Sequence, residues 1–283
     1  MKIAVVGHRA YFENHYPEHW RECTNTLCLN VNELDYGWLN IVRNFRPDVT
    51  LFYRPEIYPK HYLDSIRGLK VAFMTEPVPS LEKGALKVSL ETQLRMQVYQ
   101  AMDWDCYDVR IFYDESKRDS IEYLGYKVDY YSEIPIDSSK FKQGDCERDI
   151  DVVFVGKPTV HRISQLAELR LAPVRYLWIA HGVYGGELAS IFQRSKFVLN
   201  IHADGMPAVE PRVFLAAASG ARVISEPIPH ISPRIQDSVI QSTTFDPGFI
   251  TDLVNHYDPV LPSISPLGVR EFISDICSKF QVT

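Results

Sequence analysis

The sequence predicts an α/β protein made of two Rossmann-like lobes facing a central cleft. Three observations carry this. Short apolar runs alternate with longer amphipathic stretches along the chain; a polar, turn-rich segment at 133–145 interrupts them once; and the same alternation then restarts. Alternation of this kind reads as right-handed βαβ units around a parallel sheet. A chain of 283 residues suits about two domains.

In the first lobe, strands are expected at residues 2–6, 26–31, 48–53, 70–74, 107–112 and 126–131. Helices are expected at 36–45, 59–67, 83–102 and 115–124, with Gly68 and Gly125 after two of them, where a left-handed stop is wanted. In the helix at 83–102, Leu86, Leu90, Leu94 and Val98 follow i, i+4 spacing, which predicts a core-facing stripe. A contact with a membrane surface is the rival reading, but no strong basic face accompanies it. The segment 133–145 is read as a linker. In the second lobe, strands are expected at 151–155, 175–180, 197–202 and 221–225, and helices at 161–170, 186–196, 211–219 and 247–257. A last helix is expected at 266–280. The division is therefore 1–135, 136–265 and a C-terminal helical segment 266–283.

Composition narrows the function. A formal charge of −6 argues against a broad nucleic-acid footprint, which needs clustered Lys and Arg. Cys23, Cys28, Cys106, Cys146 and Cys277 are scattered, with no C-x-x-C pair, so neither a disulfide framework nor a zinc site is expected. Reduced thiols in a cytoplasmic protein are the simpler expectation. The first apolar run is too short for a signal peptide, and no run approaches the ~18 apolar residues of a membrane span.

Two stretches carry candidate chemistry. Residues 197–224 read as a strand, a Gly/Pro loop, a helix opening at Pro211 and a stop at Gly220. Proline suits a first helical position, where its missing N–H would be unpaired anyway. The helix start offers free N–H groups and Arg212 a fork of donors, so together they form a seat for a diphosphate. The plain alternative is an ordinary αβ unit with a surface arginine. The stretch Gly156-Lys157-Pro158-Thr159-Val160-His161-Arg162 follows a strand and opens a helix. Gly156 would let backbone approach a ligand, and Lys157 and Arg162 would neutralise phosphate; a solvated turn is the alternative.

Residues Leu199-Asn200-Ile201-His202, followed by Arg212-Val213-Phe214-Leu215-Ala216-Ala217-Ala218-Ser219-Gly220-Ala221, resemble the donor-binding region of GT-B glycosyltransferases. The likeness is to the spore-maturation CgeB-like group and to the glycosyltransferase group 1 family. Asp149-Ile150-Asp151-Val152-Val153-Phe154-Val155-Gly156 with Arg162, and the run from Leu124-Gly125-Tyr126 to Phe141, extend it over most of the chain. The resemblance implies a metal-independent glycosyltransferase that moves a sugar from a nucleotide-sugar donor to an acceptor hydroxyl, with no cofactor beyond that co-substrate. With the reading of the two stretches above, the donor candidates are Gly156, Lys157, Arg162, Asn200, His202, Glu210, Arg212 and Gly220, and the resemblance implies that the last helix crosses back to the first lobe. An inverting reaction needs a base beside the acceptor, for which His8 and Glu76 are the candidates; a loop histidine and a turn carboxylate are the alternatives. The acceptor stays open among glycan, lipid-linked glycan, protein and small molecule.

Where the family carries a glutamate that holds the donor ribose, this chain has Leu215. Either Glu210 substitutes, or ribose is held otherwise, or donor binding is lost. A non-catalytic scaffold and a nucleotide-sugar epimerase therefore stand beside the transferase reading. Asp103-Trp104-Asp105 spells the D-x-D of metal-dependent GT-A transferases, but its place at a helix end reads as a turn.

Overall fold

The computed structural model describes residues 1–17, 24–34, 37–259 and 264–280. Tyr36 and Cys23 lie outside them. The chain forms two compact units, Met1–Ile134 with Val269–Thr283, and Pro135–Gly268.

The first unit runs β1 (Ile3–Gly7), α1 (Arg9–Phe12), β2 (Thr26–Asn30), α2 (Val31–Leu34), α3 (Gly37–Phe45), β3 (Val49–Tyr53), α4 (Lys60–Leu63) and β4 (Leu69–Met74). It continues with β5 (Ser80–Glu82), β6 (Ala85–Lys87), α5 (Leu90–Ala101), β7 (Val109–Phe112), α6 (Arg118–Tyr123) and β8 (Tyr130–Tyr131). Six of these strands form a sheet ordered β2-β1-β3-β4-β7-β8, with every neighbouring pair parallel. All five residues of β1 and of β3 are buried, as expected of central parallel strands covered on both faces. The order reverses between β1 and β3, and such a switch point opens a crevice at the carboxyl ends of those strands.

The structure corrects the helix expected at 83–102. Residues 80–87 form the antiparallel hairpin β5–β6 instead. Lys83 and Gly84 both take positive φ (50° and 79°), as a two-residue primed turn requires. The helix begins only after Ser89, whose side chain forms a reciprocal capping box with Thr92. Its buried residues are Thr92 and Tyr99, while Leu90 (76% exposed) and Leu94 (49%) face outward, opposite to the expected stripe. Tyr99 fixes this rotation: its hydroxyl accepts from the Glu76 N–H (3.0 Å) and donates to the Glu76 carbonyl (3.1 Å). The helix expected at 59–67 shortens to α4, and the strand expected at 126–131 to β8.

The second unit runs β9 (Ile150–Val155), α7 (Val160–Leu166), β10 (Tyr176–Ile179), α8 (Gly185–Gln193), β11 (Ser195–Asn200), α9 (Pro211–Ala218), β12 (Arg222–Ser225), β13 (Val239–Gln241) and α10 (Pro247–Asn255). Its sheet is ordered β10-β9-β11-β12-β13, again all parallel, with the switch between β9 and β11. Alternate strand residues face opposite sides. Val153, Val198 and Val223 join one core with α8 and α9 residues. Val152, Phe154, Phe197, Leu199 and Ile224 join the other with α7 and α10 residues. The edge strand β13 was not expected, since Val239-Ile240-Gln241 is too short for a periodic signal.

The segment read as a linker is folded onto the second unit. Ile136 and Phe141 are buried in its core, Asp137 accepts from the Ser139 N–H (3.0 Å), and Gln193 donates to the Lys140 and Lys142 carbonyls (3.2 and 2.9 Å). The chain leaves this unit beside its entry, where the Ile136 N–H donates to the Leu267 carbonyl at 2.8 Å. Helix α11 (Val269–Lys279) then packs into the first unit, with Phe272 edge-on to Phe73 at 5.4 Å and Tyr130 bonded to Asp275 at 3.0 Å. No helix among the described residues is long and apolar enough to cross a membrane.

Candidate functional site

In each unit most of the candidate residues lie at the carboxyl edge of the sheet. In the second unit, Gly156 follows β9, Asn200 ends β11, and His202 comes two residues later. Arg162 lies in the first turn of α7, where the Thr159 side chain caps its N–H at 3.2 Å. Arg212 lies at the second position of α9, which opens at Pro211.

These residues form one ionic cluster. The Glu210 carboxylate meets Arg212 Nη2 at 2.8 Å and Arg162 Nη2 at 3.2 Å. Arg212 Nη1 donates to Asn200 Oδ1 at 3.1 Å, and Asn200 Nδ2 donates to Ser225 Oγ at 2.9 Å. Arg162 is tied further, by Nε to the Ile201 carbonyl (2.9 Å) and by Nη1 to the Lys157 carbonyl (3.2 Å). Both guanidiniums lie over the Phe154 ring, at 5.3 Å for Arg162 and 4.8 Å for Arg212. A Cβ at Gly156 would come within 3.0 Å of that ring and 3.1 Å of Arg212 Nη2, so only glycine leaves both in place.

His202 and Glu226 close the cluster's other side. The Pro227 carbonyl can only accept, so the His202 Nε2 that faces it at 3.2 Å carries the proton. The His202 Nδ1 is buried without a hydrogen-bond partner, 3.8 Å from Glu210 Oε1. Glu226 accepts from the His202 backbone N–H (2.6 Å) and pairs with His161 Nε2 (2.6 Å). Burial opposes charge on His202, yet Glu210, the Pro227 carbonyl and Glu226 outweigh it and raise its pKa above 6.5. Burial also works against the Glu210 carboxylate, but Arg212, His202 and Arg162 bring its pKa down to about 2.

Two expected donor residues stand apart. Gly220 lies at the other end of α9, roughly 12 Å along the helix from Arg212 at about 1.5 Å per residue. It is the helix stop (φ 77°), with the Gly220 N–H bonded to the Ala217 carbonyl and the Ala221 N–H to the Ala216 carbonyl. Lys157 is exposed, and its carbonyl accepts from Arg162 Nη1. Leu215 is a core residue, 3% exposed. Sequence reasoning missed Phe154, Glu226 and His161. Phe154 reads as a core strand residue, and Glu226 is marked only by directly following the strand β12.

In the first unit, His8 follows β1 and Glu76 lies just beyond β4. Glu76 is 5% exposed and held by Arg54 (3.0 Å) and Arg95 (2.8 Å). Arg54 also pairs with Glu56. Arg54 was not expected from the sequence. It follows β3 in the left-handed region (φ 57°, ψ 58°), although a residue before proline is pushed towards extended backbone. Conformations of this sort cost on the order of 1–3 kcal/mol and persist only where the surroundings hold them. Burial first, and then the Arg54 guanidinium, lower the His8 pKa against a hydrogen bond to Asn32 that raises it. Asp103 and Asp105 turn to different lysines, Lys60 at 3.9 Å and Lys127 at 2.5 Å, and so do not converge.

Two Rossmann-like α/β units with these sheet orders define the GT-B type of fold, the class seen in a group of glycosyltransferases. The solved structures similar to this chain carry that fold. One is AviGT4, a glycosyltransferase involved in avilamycin A biosynthesis (TM-score 0.57, 11% identity, 99% of this chain and 97% of that one). Another, from Listeria monocytogenes, is described as a candidate UDP-N-acetylglucosamine 2-epimerase (TM-score 0.52, 10% identity, 100% and 97%). TarM aligns with a TM-score of 0.46 at 10% identity over 77% of this chain, which spans only 50% of TarM's length. No family model matches the chain, and no curated protein matches it.

Proposed function

We propose that the protein is a glycosyltransferase that takes a sugar from a nucleotide-diphosphate donor seated in the second unit. The observation that carries this reading is the Arg162–Arg212 pair over Phe154, beside Gly156 and the start of α9 at the switch point of the sheet. Guanidiniums and helix N–H groups placed there would stabilise the charge that develops on the leaving diphosphate, in place of a metal ion. Leu215 is buried, so the ribose must be held by other groups. In the first unit, His8 suits the base better than Glu76. Its lowered pKa keeps it neutral and able to accept a proton at neutral pH. Glu76 is already committed to two arginines, which fits a positioning role.

The test is calorimetric titration with UDP, GDP, ADP, TDP and CMP, with and without EDTA. An EDTA-insensitive affinity that Arg212→Ala weakens while the protein stays folded supports the reading. An affinity that Arg212→Ala leaves unchanged removes Arg212 from the site, and no affinity for any nucleotide favours a scaffold. The 2-epimerase-like neighbour motivates a second reading, conversion of the nucleotide sugar itself. Incubation with donor alone separates the two, since only an epimerase returns an isomerised nucleotide sugar without acceptor.

A further inference from the structure

The cluster contains its own anion. The two guanidiniums proposed for the diphosphate are already bridged by Glu210, at 2.8 and 3.2 Å. A diphosphate arriving there would repel this carboxylate. Among the described residues, the unsatisfied group beside it is His202 Nδ1, buried and 3.8 Å from Glu210 Oε1. The His202 ring is anchored through Nε2 to the Pro227 carbonyl, so Nδ1 stays aimed at Glu210.

We propose that Glu210 is a gate carboxylate, which the donor's diphosphate displaces from Arg162 and Arg212 and which His202 Nδ1–H then receives. The inference rests on the donor reading of this site. It has a proton consequence. In the neutral ring Nδ1 presents a lone pair to the carboxylate and cannot bond it; in the imidazolium it donates. Receiving Glu210 therefore requires a protonated His202, and donor binding takes up a proton wherever the resting ring is neutral. The charged groups bearing on the ring are Glu210 before α9, Glu226 after β12, and Arg162 and Arg212 across the Glu210 carboxylate. Glu226 is already engaged with His161 and the His202 backbone, which leaves Glu210 as the mobile partner.

The experiment is calorimetric titration of UDP, GDP, ADP and TDP into the full chain at about pH 6.5 and about pH 8, in buffers of different ionisation enthalpy. It compares the wild type, Glu210→Gln and His202→Gln, each checked for cooperative melting. Expected on binding to the wild type is proton uptake at about pH 8, where the resting ring is more often neutral, and weaker binding there than at about pH 6.5. Glu210→Gln should bind at least about tenfold tighter at the higher pH and take up no proton. His202→Gln should bind more weakly than the wild type without proton uptake. Binding by Glu210→Gln alone also supports the gate. Wild-type binding without proton uptake at about pH 8, or binding that Glu210→Gln leaves unchanged or weakens, overturns the gate and leaves the donor reading standing. Binding by none of the three overturns both. Should Glu210→Gln fail to fold, His202→Gln decides alone, and proton uptake that persists in it overturns the gate.

Discussion

At Glu210, burial and charge act in opposite directions, and the charges prevail. Its folded pKa of about 2 lies below the ordinary 4.5, so the stabilisation is complete above about pH 4.5 and is lost as the pH falls towards 2. That difference corresponds to on the order of 3 kcal/mol. Urea unfolding of the wild type should show stability dropping through this window, and Glu210→Gln should flatten the drop. A parallel profile in the variant would mean that other carboxylates carry it. At His8 the dominant cause is burial, with Arg54 next. Arg54→Gln should raise the His8 pKa, read by NMR titration; an unmoved value would take Arg54 out of the electrostatics of that histidine. Glu76 was read from the sequence as an available base. Its commitment to Arg54 and Arg95 was not visible there, because those residues lie 22 and 19 positions away in the chain.

Helix α9 separates two functions along its length. Its start faces the arginine cluster, and its end is closed by Gly220 in a left-handed conformation. Gly220→Ala forces a Cβ into that conformation and should cost about 1 kcal/mol in chemical denaturation. The nucleotide affinity of the folded fraction should not change, since the cluster lies at the other end; a large loss of affinity would return Gly220 to the site. Helix α5 makes the opposite point. Four apolar residues at i, i+4 spacing predict a buried stripe, yet Leu90 and Leu94 face outward because Tyr99 and the Ser89–Thr92 box set the rotation. Lys83-Gly84 and Ser89 were the signals of a hairpin and a fresh helix start, and the leucine spacing masked them.

For the whole molecule, the first unit is built from both ends of the chain. Phe272 is 1% exposed and meets Phe73 of the central strand β4. Phe272→Ala should cost about 3–5 kcal/mol, the usual cost of deleting a buried aromatic side chain. Hydrogen exchange should place the loss in residues of the first unit, including β4. A loss confined to α11 would mean that the helix is an appendage rather than part of that core.

The alternation of the central strands with helices, its restart after the turn-rich segment and the boundaries of α9 follow from local signals in the sequence: apolar runs of strand length, Pro211 at a helix start and Gly220 at its stop; the hairpin β5–β6 and the edge strand β13 did not. Such signals act over a few residues and survive without tertiary context. The pairing of Glu210 with Arg162, the place of Phe154 beneath both guanidiniums, the pairing of Arg54 and Arg95 with Glu76, and the outward face of α5 were decided only by the tertiary structure. They join groups that are distant in the chain, and a carboxylate's sequence position says nothing about which cation will share its burial.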